Sequence, residues 1–130
     1  MRFPTSRPVR QLALGGVLLV GSTASAFAAD VEAGKVVFNR CKACHRLEAN
    51  GSAALGPNLH GVLGRKAGTL EGYNYSQAMK NSGIVWDDDT LTKYLSDPKA
   101  FVPGDKMAFP GIKNDADLAN LLAYLKQATQ

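Results

Sequence analysis

Cys41-Lys42-Ala43-Cys44-His45 decides how the rest of this 130-residue chain is read. The pattern is C-x-x-C-H, the attachment sequence for a covalently bound c-type haem. Two thiols three residues apart fit on about one helical turn. Both can then add to the two vinyl groups on one edge of a porphyrin, and the adjoining histidine can bring an imidazole nitrogen to the iron. Cys41 and Cys44 are the only cysteines in the chain.

Other chemistries use a C-x-x-C pair. In an exported protein it can be a disulfide, or a redox-active dithiol of thioredoxin type. The latter needs a βαβ setting, and no β-alternating run flanks this pair. Half of a zinc site would want further Cys or His at ligand spacing, and the only other histidine is His60. Haem attachment is the preferred reading, with a disulfide or dithiol as the alternative.

The first residues differ in kind from the rest. Arg2, Arg7 and Arg10 make a basic start, Leu12 to Val20 is a short apolar run, and Ala26-Phe27-Ala28 ends a stretch of small residues. This is the pattern of a secretory signal peptide over 1–28, leaving a single domain over 29–130 and a periplasmic location. An uncleaved anchor is the alternative, since Leu12 to Ala29 has no charge. No two arginines are adjacent, which argues against twin-arginine export. Beyond Ala28, twelve basic residues face eleven acidic ones, so the formal charge falls from +4 to +1. Net charge therefore gives no ground for nucleic-acid binding. About 100 residues bury only a modest core, to which a large apolar cofactor would add.

The pattern predicts helices and long loops. Asp30 to Arg40 reads as a helix N-capped by Asp30. Gly34 is costly inside it unless another helix crosses closely there. Residues 50–72 are rich in Gly, Pro and Asn and read as loop. Within it, Gly56-Pro57-Asn58-Leu59-His60-Gly61 is either an ordinary turn or the source of a backbone carbonyl that fixes a haem histidine. Tyr75 to Ser82 suggests a short helix. Asp87-Asp88-Asp89-Thr90 opens another, with acids in its first turn, ending before Pro98. Phe101 to Gly111 reads as loop, broken by Pro103, Gly104, Pro110 and Gly111. Asn114 to Gln130 closes the chain with Leu118, Leu121, Leu122 and Leu125 at helical spacing.

A carrier haem is typically held on both faces of the iron, and the second ligand decides between electron transfer and chemistry at an open position. Met107, in the Pro/Gly-bounded loop, is the favoured ligand. Met79 falls in a helix, where a methionine usually fills core. His60 lies beside Gly61, fifteen residues from His45, and reads as a turn histidine.

Taken together, C-x-x-C-H at 41–45, GPNLHGVLGRKAG at 56–68, GYNYS at 72–76, Trp86, YLSDPK at 94–99, PGDKMAF at 103–109 and LLAYLK at 121–126 resemble a class I cytochrome c, close to the mitochondrial type and its bacterial periplasmic relatives. The resemblance implies an all-α small cytochrome c fold, with N- and C-terminal helices crossing and long loops wrapping one covalent haem c. It implies that Cys41 and Cys44 form the thioethers and that His45 and Met107 bind iron. His45 would be held by the Pro57 carbonyl. Arg65, Tyr75 and Trp86 would hydrogen-bond the propionates, Tyr94 would sit near the methionine sulfur, and Phe109 would cover the exposed edge. Gly34 would meet the last helix near Leu121 and Tyr124. Two residues depart from the family pattern. Asp105 replaces a neutral hydroxyl residue and is expected to point outward or weaken the loop. Met79 replaces a polar amide, removing a hydrogen-bond partner and bringing a second thioether near the pocket.

The function so implied is a soluble, monomeric, periplasmic electron carrier, not an enzyme. It would shuttle single electrons between respiratory or photosynthetic redox complexes through an exposed haem edge. A cytochrome bc complex is the expected donor, and an oxidase, reductase or reaction centre the expected acceptor. Lys35, Arg40, Lys42, Lys99, Lys106 and Lys113 are expected to ring that edge and steer docking to acidic partners. The competing reading is an open-iron peroxidase or gas sensor, for which the sequence offers no distal His/Arg pair.

Overall fold

A computed structural model of the chain describes Met1 and residues 28–130, so the expected signal segment falls almost wholly outside the described residues. Asp30 opens the first helix, α1 (Val31–Phe38). Its carboxylate accepts the N–H groups of Glu32 and Ala33 at 2.9 and 3.1 Å, two of the donors a helix start leaves without partners. The chain keeps turning past α1. Cys41 N–H donates to the Phe38 carbonyl at 2.8 Å, and the N–H groups of Cys44 and His45 reach the Cys41 carbonyl at 3.0 and 2.9 Å. The C-x-x-C-H motif thus lies on a helical turn continuing from α1.

Four more helices follow: α2 (Gln77–Asn81), α3 (Asp88–Ser96), α4 (Pro98–Phe101) and α5 (Asp115–Ala128). Each start is fixed by a short polar side chain. Ser76 accepts from Met79 N–H, which places the start of α2 two residues later than the sequence suggested. Asp87 and Thr90 form a reciprocal capping box at α3, and Asn114 caps α5. Helix α4 corrects the expectation that Phe101 begins a loop. Pro98 supplies a preset φ at its first position and Asp97 accepts the Ala100 N–H at 3.2 Å. Among the described residues the only β pairing is an isolated bridge between Lys66 and Val85.

Helices α1 and α5 cross, and Gly34 is where they touch. A Cβ there would overlap the Asn120 backbone carbonyl and lie 2.9 Å from Tyr124 Cβ. Asn120 also accepts the Asp30 N–H at 2.8 Å, and the rings of Phe38 and Tyr124 pack at 5.4 Å. The buried side chains fall into two clusters. One joins α1 to α5 through Phe38, Ile112, Leu118, Leu121 and Leu125. The other gathers Val62, Met79, Trp86, Leu91, Tyr94 and Val102 around α2 and α3.

Replacing Gly34 by Ala separates two opposed effects. Ala favours an ordinary helix interior by about 1 kcal/mol over Gly. Here overpacking against backbone dominates, so Gly34→Ala is expected to cost about 3 kcal/mol in a urea unfolding curve. A gain in stability would show that the two helices do not cross at this contact.

Candidate functional site

Between the two clusters lies a cavity of about 360 Å³, within the range of roughly 300–1,000 Å³ usual for cofactor clefts. Phe38, Leu121 and Leu125 wall it from the α1–α5 side, and Val62, Met79 and Leu91 from the other. All ten site residues named from the sequence line this one cavity: Cys41, Cys44, His45, Pro57, Arg65, Tyr75, Trp86, Tyr94, Met107 and Phe109. Met79 lines it as well, buried in α2, which places the second thioether beside the pocket as expected. His60 is not among the lining residues.

His45 sits where its chemistry is constrained. Its Nδ1 lies 2.7 Å from the Pro57 carbonyl. A carbonyl can only accept, so Nδ1 carries a proton, and in the neutral ring this leaves the lone pair on Nε2. Burial lowers the imidazole pKa, opposed by that hydrogen bond. Gly56 lies against the ring: a Cβ there would be 2.6 Å from Cε1 and 3.0 Å from Nε2. The two thiols are half-buried and not joined to each other. Burial raises the Cys41 pKa, with Arg40 opposing.

Asn58 is the residue that sequence reading missed. It is buried and donates its amide to the carbonyls of Glu48 and Gly51 at 2.9 and 2.8 Å. Its side-chain oxygen accepts the His60 N–H at 2.8 Å. It folds the loop that presents Pro57 to His45, and an Asn next to Pro in a Gly-rich stretch was the available signal. Arg65 donates to the carbonyls of His60 and Asn58, both at 3.1 Å. Burial lowers its pKa while the neighbouring Tyr75 opposes; burial raises that of Tyr75 while Arg65 opposes. Trp86 is buried, its ring 5.0 Å from that of Tyr94.

Asp105 corrects an expectation. It does not point outward: its Oδ2 accepts the Tyr94 hydroxyl at 2.6 Å and its Oδ1 accepts the Met107 N–H at 3.2 Å. A buried phenol offers the carboxylate a strong donor, which replaces water lost on turning inward. Burial, followed by the hydrogen bond and charge of Asp105, holds Tyr94 protonated far above the usual tyrosine range. The Met107 sulfur lies 3.8 Å from the same hydroxyl.

The family model for cytochrome c matches residues 31–129. The chain belongs to the cytochrome c family. Cytochrome c2 of Rhodomicrobium vannielii is 48% identical over 120 residues, covering 92% of this chain and 94% of that one. Cytochrome c-550 of Nitrobacter winogradskyi is 53% identical over 75% of this chain and 90% of its own. The solved structure of cytochrome cH from Methylobacterium extorquens superposes with a TM-score of 0.71 at 46% identity, spanning 76% of this chain and 99% of that one. This cytochrome is all-α and binds one haem c covalently, and its work is electron transport.

The residues fit such a group. The cavity is walled mainly by apolar side chains, and it gathers two unlinked thiols, an imidazole whose Nδ1 is committed to the Pro57 carbonyl, and a thioether. The carboxylates that a haem carries would need cationic or polar partners, and Arg65 and Tyr75 are at the wall.

Gly56→Ala tests the histidine support. The added methyl has to displace the imidazole from the Pro57 carbonyl. Loss of such an outer partner typically costs 10–100-fold in metal-site affinity. The yield of covalently haem-loaded protein is therefore expected to fall, with an altered absorption spectrum in what remains. Wild-type yield and spectrum would show that Gly56 does not position His45.

Proposed function

We propose that this protein is a periplasmic shuttle, not an enzyme, whose iron is held by His45 and Met107. Cys41 and Cys44 form the thioethers, and the Pro57 carbonyl fixes the proximal imidazole. Arg65, Tyr75 and Trp86 would hydrogen-bond the propionates, Tyr94 sits by the methionine sulfur, and Phe109 would cover the exposed edge. The single observation that carries this reading is that Cys41, Cys44, His45 and Met107 line one largely apolar cavity. Covalently attached haem c supplies the one-electron couple. The chain's own residues exclude water from it, hold the imidazole in one tautomer and fix the sulfur loop. Little has to move between the two oxidation states, which suits rapid exchange in a short encounter.

We also propose residues 1–28 as a cleaved signal and 29–130 as the functional domain, which is monomeric. Among the described residues no helix is long and apolar enough to cross a membrane. Relatives named cytochrome c2 and c-550 support a cytochrome bc complex as donor and an oxidase, reductase or reaction centre as acceptor. The docking face is positive. Lys35, Arg40, Lys42, Lys99, Lys106 and Lys113 are all exposed, and Arg40 and Lys106 stand at the cavity wall.

Optical spectra test the ligand set. The ferric protein is expected to show a sulfur-to-iron charge-transfer band, and the ferrous protein no carbon monoxide binding. Met107→Ala should abolish the band and open the iron, while Met79→Ala should keep it. The reverse pattern would reassign the ligand to Met79. A wild-type protein without the band that binds carbon monoxide readily would point to peroxidase or sensor chemistry.

The docking face is tested by salt dependence. Lys99 donates to the Asp105 carbonyl at 2.5 Å and Lys106 to the Asn74 carbonyl at 2.6 Å, so removing either also disturbs the loop. Arg40 and Lys42 form no ion pair among the described residues. Arg40→Gln with Lys42→Gln is expected to slow electron transfer to an acidic partner several-fold at low salt, the difference vanishing at high salt. Equal rates at every salt concentration would remove these two charges from the docking face.

A further inference from the structure

The Tyr94 hydroxyl has one proton and two acceptors in reach: Asp105 Oδ2 at 2.6 Å and Met107 Sδ at 3.8 Å. The two are unequal. A hydroxyl donating to a carboxylate at 2.5–2.7 Å makes a charge-assisted bond roughly twice as strong as a neutral one. A thioether is a weak acceptor, and 3.8 Å is at the long end for a hydrogen bond to sulfur. The same carboxylate is tied to the backbone of the methionine itself, since Oδ1 accepts the Met107 N–H at 3.2 Å. Asp105 N–H donates to the Val102 carbonyl at 3.0 Å, so its own place is set by the end of α4. The shorter, charge-assisted bond to Asp105 outcompetes the long one to the sulfur.

We infer that Asp105 is a positioning residue for the electron-transfer site: it accepts the Tyr94 hydroxyl's hydrogen bond and so draws that donor away from the Met107 sulfur. This rests on the reading of Met107 as the iron's second protein ligand. A thioether that accepts no proton keeps its full electron density for the metal. Undiminished donation favours the ferric state, and so does a carboxylate held nearby. Asp105 therefore poises this chain at a lower reduction potential than the same chain with a neutral side chain at 105. Asp105 acts on the ligand through Tyr94, whose hydroxyl it holds at 2.6 Å.

A double-mutant cycle on the haem-loaded protein tests this, read by equilibrium reduction potential and by the sulfur-to-iron charge-transfer band. The four proteins are wild type, Asp105→Ala, Tyr94→Phe and the double variant. Asp105→Ala is expected to raise the potential and shift the band, because the Tyr94 proton is released to turn to the sulfur. In the Tyr94→Phe background the same change should give a smaller rise and leave the band in place. Proton NMR of the ferrous wild type should show a downfield, slowly exchanging Tyr94 hydroxyl that disappears in Asp105→Ala. Equal shifts in both backgrounds would overturn the inference and reduce Asp105 to a charge or a loop brace. If Asp105→Ala loses the band through loop opening, Asp105→Asn takes its place. The amide keeps the shape and weakens the bond to a neutral one, so additivity in that cycle overturns the inference equally. A wild type without the band refutes Met107 as ligand, which is a separate failure.

Discussion

The hydrogen bond from His45 Nδ1 to the Pro57 carbonyl is the contact on which the site depends. It joins two pieces of chain twelve residues apart, the helical turn that carries the cysteines and the loop that follows. It commits one ring nitrogen and so defines what the other can do. Neither partner is placed by itself. His45 is held from below by its N–H on the Cys41 carbonyl, and Pro57 by the amide of Asn58 on the carbonyls of Glu48 and Gly51. Gly56 leaves the room for the ring to lie flat. A short loop with few apolar residues is thereby made rigid through backbone carbonyls, the donors being one asparagine and one histidine.

The division of the core follows from the same need. A chain of about 100 residues has little apolar surface to bury, yet this one sets part of it around a cavity. The α1–α5 cluster closes on itself through Gly34, Phe38 and Tyr124. The second cluster is assembled by shorter helices and loops. Among the described residues, Leu59 and Leu95 pack against both. A covalently held apolar group completes the core that the side chains leave open, so cofactor and fold stabilise each other. The carboxyl terminus joins in, with Gly61 N–H on the Thr129 carbonyl at 2.6 Å fastening the end of α5 to the loop after Pro57.

What the sequence made legible was local. Asp30, Asp87 and Asn114 announced helix starts because a short polar side chain before a periodic run satisfies the first amide groups. Gly34 announced a helix crossing because its helical cost otherwise has no return. The ten site residues named from sequence all reached one cavity, but the C-x-x-C-H spacing alone would have named three of them. The Pro- and Gly-bounded loops added Met107 and offered the Pro57 carbonyl, and the other five came from resemblance, since nothing local links Arg65, Tyr75, Trp86, Tyr94 and Phe109. Helix α4 was hidden by its length and by Pro98, which reads as a stop before the sequence shows that it is also a start. The inward turn of Asp105 was hidden because its reason is a tyrosine eleven residues away. A charge predicts exposure until a buried donor is known.

The lysines of the proposed docking face show how such constraints overlap. Lys99, Lys106 and Lys113 each donate to a backbone carbonyl, of Asp105, Asn74 and Ser96 respectively. Fixing a long side chain of this kind costs roughly 1.5–2 kcal/mol of rotamer freedom, which an exposed ion pair seldom repays. A carbonyl at the edge of a loop with few partners of its own gives a better return, because it would otherwise depend on water. Each ammonium still has donors directed outward. The same three cations therefore brace the segment from Ser96 to Met107 and present their charge to solvent, and the proposed docking face would take its geometry from the loop that holds the methionine.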